Sequence, residues 1–206
     1  VKTYHSLRDQ LGFNQDLPFT PDWSAAADFL MLIADHCLEH KPGSILECSS
    51  GLSTLILARC CQINQYGKVI SLENGTEFAA KTRQQLEEFQ LQDYASVIDA
   101  PLIEQTINGK IYSWYSLESL NIETIEMLVI DGPPGILQSQ ARYPALPLLA
   151  DYFSESTTIF LDDAARDDEQ FIIRSWQQQF PQLQHHYINN ERGCSILTSV
   201  SQADEL

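Results

Sequence analysis

The sequence predicts an open α/β sheet, mostly parallel and wrapped by helices, and three observations carry that prediction. Short apolar runs alternate with segments of helical periodicity through most of the chain. The run Glu126 to Asp131 has an unbroken apolar centre, the pattern of a strand covered on both faces. Near the end, Gln184 to Ile188 and Cys194 to Val200 read as strands joined by a turn from Asn189-Asn190 to Gly193. That turn is too short for a helical crossover, so the last strand runs antiparallel to its neighbour.

The elements follow in order. Val1 to Phe19 has weak periodicity and reads as a loose arm or lid. Thr20-Pro21 marks a helix start, with Thr20 as N-cap and proline at the first helical position. Ala26, Phe29, Leu30, Ile33 and Cys37 then recur at helical spacing until Pro42-Gly43. Ser44 to Cys48 is a strand, Ser53 to Gln65 a helix, Lys68 to Glu73 a strand, Thr76 to Gln90 a helix, and Ala95 to Ala100 a strand. Leu102 to Glu123 is irregular, with room for a short extra hairpin, and its Tyr112, Trp114 and Tyr115 suit either a substrate cover or loop anchors. Gly132-Pro133-Pro134-Gly135 forbids regular structure. A helix from about Ser139 to Phe153 is broken or restarted at Pro144 and Pro147. Thr157 to Asp162 is a strand and Arg166 to Phe180 a helix. No linker interrupts the series. One domain is expected over residues 1–206, with 1–43 as N-terminal arm and helix and 44–200 as core.

The formal net charge of −16 opposes a nucleic-acid partner, because Lys and Arg supply most of the affinity for phosphates. It also opposes an anionic membrane surface, and plain solubility accounts for it as well. No stretch nears the roughly 18 to 20 apolar residues that span a bilayer. Five cysteines, odd in number and without metal-ligand spacing, suit a reducing cytoplasm better than a disulfide framework.

Ligands of open α/β sheets sit outside the carboxyl ends of the strands. Five strands end in an acid here: Glu47 (followed by Cys48), Glu73, Asp99, Asp131 and Asp162. Carboxylates gathered on one edge repel one another and call for polar ligands or cations. Gly51, in the Ser49-Ser50-Gly51 turn, lets a ligand approach the backbone. Ser53 and Thr54 open a helix whose free N–H groups favour a carboxylate. Glu73 suits the two hydroxyls of a ribose, Asp99 an exocyclic amine, and Asp131 faces the same cleft. A ligand with a carboxylate, a ribose diol, an adenine amine and a positive centre satisfies all of these, and S-adenosylmethionine has those features. A dinucleotide would bring a pyrophosphate into an acidic crevice.

The ordered set ILECSSGLST, VISLENG, SVIDAP, MLVIDGPPG and IFLDDAARDDE resembles the class I S-adenosylmethionine-dependent methyltransferases, over about Ser44 to Val200. Arg142-Tyr143-Pro144 resembles a helix start of the same family. The resemblance implies a Rossmann-like three-layer sandwich. Its seven-stranded sheet has order 3-2-1-4-5-7-6 with an antiparallel last strand, and its activity is methyl transfer to a small-molecule acceptor. The resemblance puts Glu47, Ser49, Gly51, Ser53, Glu73, Asn74, Asp99, Ala100 and Asp131 around the cofactor. Ser49 stands where the family has a glycine, a costlier residue if the backbone there needs positive φ.

Asp131 and the pair Asp162-Asp163 end neighbouring strands, about 4.8 Å apart, and their oxygens suit Mg²⁺ or Ca²⁺. This resembles the catechol-type O-methyltransferases, in which a divalent ion lowers the pKa of a bound hydroxyl and orients it. Two features depart from that pattern: Gly132-Pro133-Pro134 replaces the lysine after the fourth-strand acid, and Asp163 replaces an amide. The alternative role for Asp162 and Asp163 is to cap the helix near Arg166. Asp131 is the candidate base. Asp167, Asp168 and Glu169 read as complements to the helix dipole, and Arg142 as a partner for a substrate anion or a helix acid. His36, His40, His185 and His186 read as helix-end, surface or packing residues. Three other functions compete with methyl transfer to a small molecule. A nicotinamide-dependent oxidoreductase needs a glycine-rich turn that is missing here. A nucleic-acid amino-methyltransferase has only a faint Asp-Pro-Pro echo. A non-catalytic binding module on the same fold is kept open by Ser49.

Overall fold

The computed structural model describes residues 3–21 and 23–199. Val1, Lys2, Asp22 and Val200, on which some expectations fell, lie outside the described residues. The helices are α1 (Tyr4–Gln10), α2 (Ala27–His40), α3 (Leu52–Asn64), α4 (Thr76–Glu88), α5 (Ala145–Leu149) and α6 (Asp167–Gln179). The strands are β1 (Ser44–Cys48), β2 (Lys68–Glu73), β3 (Ala95–Asp99), β4 (Leu102–Ile107), β5 (Lys110–Tyr115), β6 (Ile125–Ile130), β7 (Phe153–Leu161), β8 (Leu183–Ile188) and β9 (Cys194–Ser199).

Seven strands form one sheet in the order β3-β2-β1-β6-β7-β9-β8, and β4-β5 is a separate hairpin. Numbering only the strands of the large sheet gives the expected 3-2-1-4-5-7-6. β1, β2, β3, β6 and β7 pair in parallel, and β9 runs antiparallel to both β7 and β8. Alternation along each strand sends its side chains to two apolar layers. Ile45, Met127 and Val129 join Leu7, Phe29, Leu30 and Leu55 on the face covered by α1 to α4. Leu46, Leu128 and Ile130 join Trp114, Leu146 and Trp176 on the face covered by α5, α6 and the hairpin.

The structure corrects three expectations and decides between the alternatives of a fourth. The loose arm contains α1, capped by Thr3, whose Oγ1 accepts from the Ser6 N–H at 3.1 Å. Leu7 and Leu11, one turn apart, are buried and hold it to the core. Next, α2 starts at Ala27 rather than after Thr20. The Thr20 carbonyl accepts from Trp23 and Ser24 in a turn of its own, and Ser24 Oγ accepts the Thr20 N–H at 2.9 Å. The helix expected from Ser139 shrinks to α5, because Pro144 and Pro147 each remove an N–H donor. Finally, Tyr112, Trp114 and Tyr115 are buried on the hairpin, so they anchor it and do not cover a substrate.

Candidate functional site

The site is built from the turn between β1 and α3. The Ser49 N–H donates to the Leu72 carbonyl at 2.9 Å, tying the turn to β2. Ser49 adopts φ +108°, so the backbone does take a positive φ where serine replaces glycine. Gly51 adopts φ +143° and ψ −133°, a region essentially open only to glycine. A Cβ built on Gly51 would meet no atom within 4 Å, so the turn faces open space.

Glu47 was expected against the ligand, but it is 0% exposed beneath the turn and does not line the cavity. Strand alternation puts it on the Ile45 face, under α3. Its Oε2 accepts from Thr54 Oγ1 at 2.6 Å and from Ser71 Oγ at 2.5 Å. Thr54 Oγ1 in turn accepts the Gly51 N–H at 3.0 Å, so Glu47 props the turn through a chain of hydrogen bonds. Burial pushes the Glu47 carboxyl above its ordinary range, against the lowering effect of Ser53, Ser71 and Thr54.

At the end of β2, Glu73 Oε1 accepts the Gly75 N–H at 2.8 Å and Oε2 accepts from Ser50 Oγ at 2.9 Å. These bonds fix the carboxylate and leave lone pairs for a ligand. Ser49, Gly51, Ser53, Glu73, Asn74 and Asp131, all expected, line one cavity of about 270 Å³. Trp23, Phe78 and Ile136 complete it with apolar surface. These three escaped the sequence reading. An aromatic residue in a loop without periodic companions, such as Trp23 (60% exposed), was the available signal. Asp99 and Ala100 do not line the cavity. Arg83 of α4 takes the Asp99 carboxylate at 2.7 Å, and Ala100 is turned into the core.

A second cavity, of about 620 Å³, shares Trp23, Ser49, Asp131, Pro134 and Ile136 with the first and continues past Arg142 to Arg166 and Arg192. Asp131 therefore stands where the two spaces meet.

The three expected metal ligands do converge: Asp131, Asp162 and Asp163 each offer an oxygen, and these atoms lie within 4.8 Å of one another. Among them, however, lies Arg142, 3% exposed. Its Nη2 donates to Asp163 Oδ2 at 2.9 Å, to the Asp131 carbonyl, and to Asp131 Oδ1 at 3.4 Å. Its Nη1 donates to the Asp162 carbonyl at 2.9 Å and lies 3.8 Å from Glu169 Oε1. Arg166 pairs with the same Asp163 Oδ2 at 2.9 Å. Mg²⁺ or Ca²⁺ would need these oxygens at about 2.0 to 2.6 Å, so the residues do not fit a divalent ion with Arg142 in this position. Nor do the acids cap α6, whose N-cap is Arg166 without a side-chain bond.

Burial dominates the electrostatics of the cluster. Asp162, fully buried with neither carboxylate oxygen hydrogen-bonded, is pushed up to about 8 by desolvation and by the charges of Asp131 and Asp163. Asp131 is pushed up to about 6 by desolvation, against the pull of Arg142. The histidines stand apart from both cavities. The His36 and His40 rings lie 4.3 Å apart on α2, and His185 Nε2 lies 3.0 Å from Ser195 Oγ.

A family profile described as a methyltransferase domain matches residues 46–164. No curated protein matches the chain. Among solved structures, the SAH-bound methyltransferase of Podospora anserina is similar with a TM-score of 0.68 at 13% identity, covering 96% of this chain and 88% of that one. The O-methyltransferase of Bacillus cereus in complex with SAH gives 0.66 at 15%, covering 96% and 90%. The O-methyltransferase TomG of Streptomyces achromogenes, involved in tomaymycin synthesis and solved with SAM, gives 0.65 at 11%, covering 95% and 87%. At these identities the likeness is one of fold.

Proposed function

Because the chain belongs to the family of methyltransferase domains, we propose that it transfers the methyl group of S-adenosylmethionine to a hydroxyl of a small-molecule acceptor. One observation carries this reading: two adjoining cavities meet at a single carboxylate, Asp131, whose side chain is 17% exposed. The smaller cavity takes the donor. Glu73 accepts the ribose hydroxyls, the start of α3 at Ser53 receives the methionine carboxylate, and Phe78 offers a face to the adenine. The larger cavity takes the acceptor.

The chemistry asks the protein mainly for alignment and dryness. The acceptor oxygen attacks the methyl carbon in line with the C–S bond. That bond breaks, its electron pair goes to sulfur, and S-adenosylhomocysteine is left. The hydroxyl proton passes to the Asp131 carboxylate. A carboxyl raised to about 6 is a stronger base than an ordinary one and remains largely ionised at neutral pH. No step runs through a divalent ion, because Arg142 holds the oxygens one would need.

Calorimetry with S-adenosylhomocysteine tests the donor half. One molecule is expected to bind, and Glu73→Gln to weaken binding roughly 10- to 100-fold, the worth of charge-assisted hydrogen bonds. Equal affinity in the variant would overturn the ribose assignment. Absence of binding to the unaltered chain would overturn the whole reading.

A further inference from the structure

Arg142 lies where a set of acids such as Asp131, Asp162 and Asp163 would otherwise draw a metal. We propose that Arg142 is the resident cation of this cluster: it keeps divalent metal out of the chain as it stands, and its removal opens a metal site there.

The geometry argues for a fixed occupant. Beyond the carboxylates, Arg142 donates to the backbone carbonyls of Asp131 and Asp162, which lie just past the ends of β6 and β7. Backbone acceptors on two neighbouring strands hold the planar guanidinium by its geometry as well as its charge. Nη2 already bonds Asp163 Oδ2 and approaches Asp131 Oδ1, so an ion bridging those atoms would stand against a like charge in a poorly screened interior. The chain keeps the side chain buried at 3% exposure, unlike a surface arginine free to swing aside.

A second observation points to the latent site. Asp162 is fully buried, and neither of its carboxylate oxygens has a hydrogen-bond partner among the described residues. Glu169 Oε2 and Asp163 Oδ1 are also unpartnered. The cluster thus holds more acceptor capacity than one guanidinium uses. Without Arg142, only Arg166 among the described residues would remain in ion pairing with these acids. Carboxylates left so would take a hard cation, with Mn²⁺ as a convenient probe. In the wild-type chain Arg142 acts as a positioning residue that holds Asp131 by its carbonyl and Oδ1. Methyl transfer then needs no divalent ion, a consequence that rests on the proposed activity, whereas the metal test does not.

The experiment is an Mn²⁺ titration by calorimetry and electron paramagnetic resonance of the wild type, Arg142→Met, and the Arg142→Met/Asp131→Asn double variant. The wild type is expected to lack a saturable site at millimolar Mn²⁺. Arg142→Met is expected to bind one ion roughly 100-fold more tightly and to melt at a higher temperature when Mn²⁺ is present. The double variant is expected to lose that ion, which locates it. Stoichiometric binding by the wild type, or no gain in Arg142→Met, would overturn the proposal. Should Arg142→Met fail to fold alone, it is refolded with and without Mn²⁺. Recovery with the ion alone is expected, and failure in both overturns the idea. S-adenosylhomocysteine binding by the wild type, measured alongside, reports separately on the methyl-transfer reading.

Discussion

Around the smaller cavity the chain spends conformational energy in its backbone. Ser49 and Gly51, two residues apart, sit at φ +108° and +143°, while Thr54, Ser71 and Glu47 lock the turn from below. Around the larger cavity the main chain is milder. Asp163 at φ +59° is in the left-handed well that aspartate tolerates, and the cost lies in buried charge. Four acids, Asp131 among them, are packed there with two arginines and several orphaned oxygens. The donor side is thus a local device made by consecutive residues, and the acceptor side a long-range one made by β6, β7, α6 and the loop before α5. Strain of the first kind is answered by a glycine. Strain of the second kind is answered by a counter-charge or a proton.

The sharpest way to break this contrast is Arg142→Met. Removing one partner from a buried ionic network costs about 3 to 5 kcal/mol, because the remaining charges stay uncompensated. The loss should depend on pH. Asp131 and Asp162 have folded pKa values raised to about 6 and about 8, above their ordinary 3.8. Their contribution to stability is fully present below 3.8 and is lost as pH rises through 6 and 8. Once protonated, they need the guanidinium less. Urea unfolding should therefore find a larger Arg142→Met deficit at pH 8 than at pH 5. Equal deficits would mean that the side chain matters through packing and not through charge.

Gly51→Ala probes the other kind of strain. A Cβ there meets nothing, so the whole cost is conformational, about 1 to 3 kcal/mol, and it should be independent of pH over the same range. Gly135, in the lining of the larger cavity, provides the control. It is as open to a Cβ and lies outside the positive-φ range, so Gly135→Ala should stay within about 0.5 kcal/mol of the wild type. Comparable losses at both glycines would remove the distinction.

The same division governs what could be read from the sequence. β1 and β2 have the expected bounds, because apolar runs between turn residues fix them locally. Ser49, Gly51, Ser53, Glu73 and Asn74 meet in one cavity because they fall in or beside two strand-to-helix turns, whose geometry follows from nearby residues. Glu47 was misassigned although strand alternation, applied strictly, puts it under α3 with Ile45. Asp99 was lost to Arg83, which is 16 residues away and on another element. For Arg142 the sequence leaves a substrate anion and a helix acid as alternative partners. That Arg142 holds residues 131, 162, 163 and 169 together depends on tertiary convergence, which no local pattern records. The helix α1 was hidden because two leucines one turn apart make too short a stripe to count as periodicity.

The smallest expected effect is the most direct test of local strain. Ser49 holds φ +108°, which glycine adopts at little cost and serine does not. Ser49→Gly relieves that strain and at the same time frees the unfolded chain, which offsets about 0.5 to 1 kcal/mol of the gain. The net stabilisation should be about 0.5 kcal/mol, with no dependence on pH between 5 and 8. A preorganised turn should also bind S-adenosylhomocysteine at least as tightly as the wild type. The Ser49 Cβ lies within 3.0 Å of where a Cβ on Gly132 would stand, so the serine packs against the segment that follows Asp131. A loss of stability in Ser49→Gly would mean that this contact outweighs the backbone cost. The turn would then belong to the acceptor side as much as to the donor side.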